Sequence, residues 1–244
     1  MTHFIADDGE HIRVEISGDG PALILLHGWT TGHRDWSMFM PGLNPSFRVY
    51  RWDARCRGDA QPRTTTAPTV ERMARDLHNL LDHFQLEQAI VVGHSMGALI
   101  LWQYLQDFGT ARVARLCFID QSPKLVTDEN WRLGIYGNFD HAHSRQFIER
   151  LRQDFPDTVL KLVAHGLNRR ARADFEAGTP AWVAYRSQLE QFNPAPLIAC
   201  WESLVAADYR AVLPQIDVPT LLIYGGESNF YVPETATYVA QAIP

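Results

Sequence analysis

The sequence predicts an α/β fold: a mostly parallel central sheet with helices on both faces and an inserted helical cap. Three observations predict it. Short apolar runs are bounded by turn residues, helical patterns alternate with them, and a strand-free, helix-rich stretch interrupts the alternation from about residue 121 to 214. The runs are Ala22–Leu26, Arg48–Trp52, Ala89–Val92, Leu116–Ile119 and Thr220–Tyr224, rich in Val, Ile or Leu as strands buried on both faces of a parallel sheet are. Glu10–Ser17 alternates instead, with Ile12, Val14 and Ile16 against Arg13 and Glu15. That pattern suits an antiparallel edge strand, and Gly18-Asp-Gly-Pro21 supplies the turn after it.

Between the runs, Thr69–Phe84 places Val70, Met73, Leu77, Leu80, Leu81 and Phe84 three and four residues apart, with Thr69 as N-cap after Pro68. This predicts an amphipathic crossover helix. Gly97–Phe108 is apolar throughout, as a helix pressed onto a sheet should be. Further helices are expected over Arg145–Phe155, Thr158–Leu167, Ala181–Phe192, Leu197–Ala207 and Pro233–Ile243. The expected organisation is a core of residues 1–120 and 215–244 with the helical cap at 121–214.

With 22 Lys and Arg against 28 Asp and Glu, a net charge of −6 leaves no basic footprint for nucleic acid or an anionic membrane. A small-molecule substrate is the expected partner. Cys56, Cys117 and Cys200 are odd in number, widely spaced and without a CxxC pair, which points away from a disulfide framework or zinc site and towards a reducing cytoplasm. No cofactor is implied. The N-terminus has no signal-like run, and no stretch is long and apolar enough to span a membrane.

The chemistry concentrates at Val91-Val-Gly-His-Ser95-Met-Gly97, a GxSxG sequence that follows a strand and opens a helix. Gly93 and Gly97 allow a sharp turn that exposes the Ser95 hydroxyl, and the Met96 N–H at the helix N-terminus faces whatever Ser95 attacks. Together with His27-Gly28-Trp29, Asp53-Ala-Arg55-Cys56-Arg-Gly58 and the strand ending at Tyr224-Gly225, this motif makes residues 20–110 and 215–235 resemble the α/β-hydrolase family. The resemblance implies an esterase-like hydrolase in which Ser95 is the nucleophile and the Trp29 and Met96 N–H groups form the oxyanion hole. His27 is expected to be structural. Cys56 stands where similar enzymes carry Gly.

The family's usual acid lies four residues before a proline after the penultimate strand, where this chain has Asn229, so that place is disarmed unless Glu227 substitutes. Asp120, at the C-terminal end of the strand after the elbow helix, is therefore the first choice. No catalytic histidine is assigned among the ten: His141, His143 and His165 fall in the cap, and the His94 side chain is expected to point away from Ser95. The family's base lies after a last strand. A crossover helix at Pro233–Ile243 with no strand after it suggests a chain shortened by on the order of 20 to 30 residues, with no serine-based turnover expected if it truly ends at Pro244. The lobe that carries Trp131, Trp182, Tyr185, Phe192 and Trp201 is expected to cover the site and line an apolar pocket; any single one of these aromatics is expected in the lobe core, and together they suggest a hydrophobic or aromatic substrate.

A second resemblance, carried by Gly28-Trp29, Asp120 and Asn130–Asp140, is to cofactor-free dioxygenases that open N-heteroaromatic rings with a His/Asp dyad. Their serine is not a nucleophile, and the intact elbow here argues against them. A perhydrolase or haloperoxidase, and a non-catalytic receptor on this fold, complete the alternatives.

Overall fold

The computed structural model describes residues 2–55, 57 and 63–244. Cys56 and Gly58 of the Asp53–Gly58 motif lie outside the described residues. Seven strands form one sheet: β1 (Thr2–Ile5), β2 (His11–Ser17), β3 (Ala22–Leu26), β4 (Arg48–Trp52), β5 (Ala89–His94), β6 (Val113–Ile119) and β7 (Thr220–Ile223). Their order is β1-β2-β4-β3-β5-β6-β7, with β1 and β2 antiparallel and the rest parallel. The five apolar runs and the alternating segment are all strands, and β2 is antiparallel as expected, but it is not the sheet edge: β1 pairs along its outer side and takes that place. β1 was not expected from the sequence, because only Phe4 of its four residues is buried and so small a segment has no readable alternation.

Nine α-helices accompany the sheet among the described residues: α1 (Met40–Leu43), α2 (Val70–His83), α3 (Met96–Phe108), α4 (His141–Gln153), α5 (Phe155–Ala164), α6 (Arg169–Glu176), α7 (Pro180–Leu189), α8 (Pro194–Ala206) and α9 (Pro233–Ala242). Thr69 caps α2 as expected, its hydroxyl accepting from the Arg72 N–H. Asp140 and Asp154 cap α4 and α5 in the same way, so both helices begin a few residues before the apolar periodicity shows. α6 escapes sequence reading for a physical reason: it buries no residue, and without a buried face it carries no periodicity.

Alternate strand residues divide the interior. Ile24, Leu26, Val91, Leu116 and Phe118 join the large core beneath α2, α3 and α9, while Leu23, Leu25 and Val49 face the short segment 33–43. The two faces are thus covered unequally. On the lightly covered face Leu221 and Ile223 of β7 stay 57% and 45% exposed. α4–α8 all fall between β6 and β7. No helix among the described residues is long and apolar enough to cross a membrane, and no group of three potential metal ligands occurs among them.

Candidate active site

Ser95 sits between β5 and α3 at φ +51° and ψ −117°, a backbone conformation that costs a side-chain-bearing residue on the order of 1–3 kcal/mol. The turn is possible because Gly93 and Gly97 touch: a Cβ on Gly93 would lie 2.6 Å from the Gly97 carbonyl, and one on Gly97 would lie 2.4 Å from the Leu26 oxygen. The Ser95 N–H donates to the Ile119 oxygen at 3.1 Å, which ties the corner to the end of β6. Asp120 follows directly, itself at φ +46°, with its N–H on the Ile223 oxygen at 2.8 Å.

Both side chains line one cavity of about 370 Å³ at the C-terminal edge of the sheet, together with Trp29, Met96 and His94. The Ser228 hydroxyl donates to Asp120 Oδ2 at 2.9 Å, whereas Asp120 Oδ1 is buried and has no hydrogen-bond partner among the described residues. Burial pushes the Asp120 carboxyl above its usual range, partly offset by the Ser228 hydroxyl, His94 and Gly225. Beneath it, Gln121 is held by the Tyr224 hydroxyl on its carbonyl, at 2.6 Å, and by the Tyr231 hydroxyl on its Oε1.

The other candidate acids do different work. The Asn229 amide donates to the Val163 carbonyl while its Oδ1 accepts the Asn168 N–H at 3.2 Å, so it straps the loop after β7 to the end of α5 and the start of α6. The Glu227 side chain is exposed, and its backbone carbonyl accepts from Asn168 Nδ2 at 3.1 Å.

Around Trp29 the backbone is fixed from two directions. Gly28 O accepts from Thr31 Oγ1 at 2.9 Å and Thr31 N at 3.3 Å and lies 2.8 Å from His27 Nδ1. In a trans peptide this turns the Trp29 N–H the opposite way, and it donates to nothing among the described residues. His27 Nε2 accepts the Ala54 N–H at 2.9 Å, so the ring is a neutral strut between two loops, as expected.

Burial lowers the His27 pKa below its usual value, with an opposing contribution from Gly28 O. The folded protein therefore resists a proton that the unfolded chain takes up near pH 6.5. Stability is full above that pH and falls below it, by about 1.4 kcal/mol per pH unit for this group. Urea midpoints measured from pH 7.5 to 5.5 should fall accordingly, and His27→Gln should flatten the slope.

His94 was expected to point away from Ser95. The residue is among those lining the same cavity, and its ring lies 3.1 Å from where a Gly28 Cβ would stand and edge-on to Trp36. Burial depresses its pKa also, and the Asp120 carboxylate raises it in part. His141 and His143 are exposed on α4, and His165 packs against Phe175; none of the three lines the cavity.

Of the five lobe aromatics, Tyr185 and Trp201 line the pocket. Trp131 packs on Tyr238, Trp182 on Phe175, and Phe192 against the core edge. Sequence reading missed Leu125, Ile135, Val159 and Tyr231 as wall residues, since an apolar side chain looks alike in sequence whether it faces a cavity or a core.

Residues 21–244 match the alpha/beta hydrolase fold family. The chain belongs to that family. It is 31% identical over 233 residues to the pimeloyl-[acyl-carrier protein] methyl ester esterase of Vibrio vulnificus, spanning 94% of this chain and 85% of that one. Among solved structures it resembles a bromoperoxidase from Bacillus anthracis (TM-score 0.84, 23% identity, 100% of this chain and 88% of that one). It also resembles an esterase from Exiguobacterium antarcticum (TM-score 0.83, 23% identity, 99% and 87%). At that identity the structures bear on the fold alone.

Proposed function

We propose that this family member is a serine esterase for small, largely apolar esters, with the helical segment 121–214 as its cap. The observation that carries the reading is the strained Ser95 corner opening into the same cavity as Trp29, Met96 and the partly orphaned Asp120 carboxylate. Ser95 attacks the ester carbonyl, the Trp29 and Met96 N–H groups receive the charge that develops on its oxygen, the alcohol departs with the proton taken from the serine, and water then releases the acyl group as the acid. Asp120, held at Oδ2 by Ser228, offers Oδ1 to orient an imidazole that takes the serine proton. Among the described residues no imidazole donates to that carboxylate. The walls formed by Trp29, Trp201, Leu162 and Phe230 favour an apolar acyl chain, and the curated relatives, named for a methyl ester, support an ester of a small alcohol.

The ring-opening dioxygenase reading has no comparable support, because it leaves the strained serine without a task. Ser95→Ala should lower p-nitrophenyl butyrate hydrolysis by at least about 10⁴-fold and abolish labelling by a fluorophosphonate. A variant that still hydrolyses and labels would exclude Ser95 as nucleophile.

A further inference from the structure

Trp29 and Thr30, the two residues that carry the proposed oxyanion donor, are each tied to the cap as well as to the sheet. Trp29 Nε1 donates to the Leu197 carbonyl of α8 at 2.9 Å, and the Tyr185 hydroxyl of α7 lies 2.8 Å from Thr30 Oγ1. Thr30 Oγ1 donates its one proton to the Trp29 carbonyl at 2.6 Å, so in the pair with Tyr185 the tyrosine hydroxyl is the donor and Thr30 Oγ1 the acceptor. Thr30 is held at φ +63°, where a β-branched residue is a steric outlier. Such strain persists only where surrounding contacts over-determine it.

α7 itself is lightly anchored. Leu189 is its one buried residue and Val183 is 58% exposed. Tyr185 is driven inward enough that burial pushes its hydroxyl up to about 12, so it stays a neutral donor across the physiological range.

We propose that Tyr185 is a positioning residue: its hydroxyl holds Thr30 in the left-handed conformation, and seating of α7 thereby completes the oxyanion hole at the Trp29 N–H. This rests on the esterase reading.

The test compares Tyr185→Phe, Thr30→Asn and the double variant with Val183→Ala, an exposed control on the same helix. An oxyanion donor acts on the transition state more than on bound substrate, so its displacement lowers kcat and spares KM. Losing such a donor outright costs about 10²–10³-fold, and loosening it should cost about tenfold. Tyr185→Phe is expected to lower kcat for p-nitrophenyl butyrate by about that factor, with KM changed by less than about twofold. Deuterium uptake over residues 27–33 should rise in the same variant, and Val183→Ala should change neither. Asn tolerates a left-handed backbone, so in the Thr30→Asn background the Tyr185→Phe effect should shrink to less than about twofold.

Unchanged kcat and unchanged exchange in Tyr185→Phe would overturn the proposal. So would an undiminished tenfold effect in the Thr30→Asn background. Should Ser95→Ala hydrolyse like wild type, the esterase reading falls, and the exchange comparison then decides the Tyr185 coupling separately.

Discussion

Asp120→Asn is expected to lower ester turnover by about 10⁴-fold, the scale on which a serine hydrolase loses activity when its imidazole is no longer oriented by a charge. The amide still offers an oxygen to the Ser228 hydroxyl, so the local geometry survives. The carboxylate's second oxygen is buried with no hydrogen-bond partner among the described residues, and burial raises the group's pKa. The folded protein therefore holds this proton more tightly than the unfolded chain, whose carboxyl ionises near 3.8. Ionisation on the rise from acid pH costs native stability.

Replacing the group should remove that cost. The stability of Asp120→Asn relative to wild type should be level at pH 3.5 and grow as the pH passes upward through 4 and 5. Hydrolysis rates together with denaturant midpoints at those pH values check both halves. Glu227→Gln, at an exposed side chain, should alter neither. Full activity in Asp120→Asn would return the acid role to another residue.

Gly97→Ala should cost more than about 4 kcal/mol and leave little folded protein, an effect beyond that of ordinary point substitutions. The added Cβ would stand 2.4 Å from the Leu26 oxygen, 2.7 Å from its carbonyl carbon and 2.8 Å from its Cβ. Two of those are backbone atoms of β3, which is paired on both sides, with β4 and β5, and cannot withdraw. Relief would require α3 to lift from the sheet, unseating the buried Leu99, Ile100 and Trp102. Gly42→Ala is the contrast. It lies in α1 with nothing within 4 Å of the new methyl group, and should be neutral or stabilising by up to about 1 kcal/mol. Soluble yield and thermal midpoints of the two variants, measured side by side, test the argument. A soluble Gly97→Ala protein melting within a few degrees of wild type would contradict it.

Much of the architecture is legible in local patterns. The apolar runs, the Thr69 cap and the strand–GxSxG–helix order depend on residues close in sequence, and each appears in the structure where those residues stand. The same holds for Asp120 at the end of β6, a placement that follows from where an apolar run stops. β1 and α6 were not legible, one being too short and the other burying nothing, so neither imprints a period.

The cavity walls and the supports around Trp29 belong to another class. Tyr185 meets Thr30 across 155 positions, and the Trp29 indole reaches Leu197 across 168. The His94 ring packs beside Gly28, on a different strand's loop, where an added Cβ would stand 3.1 Å from it. Asn229 shows the limit most plainly. Its identity marks an empty acid position, yet its actual partners, Val163 and Asn168, lie in a helical segment more than sixty residues away. Periodicity and turn chemistry are local properties and can be read along the chain. Which side chains share a hydrogen bond or a cavity depends on how distant segments pack, and that becomes defined only when the chain closes on itself.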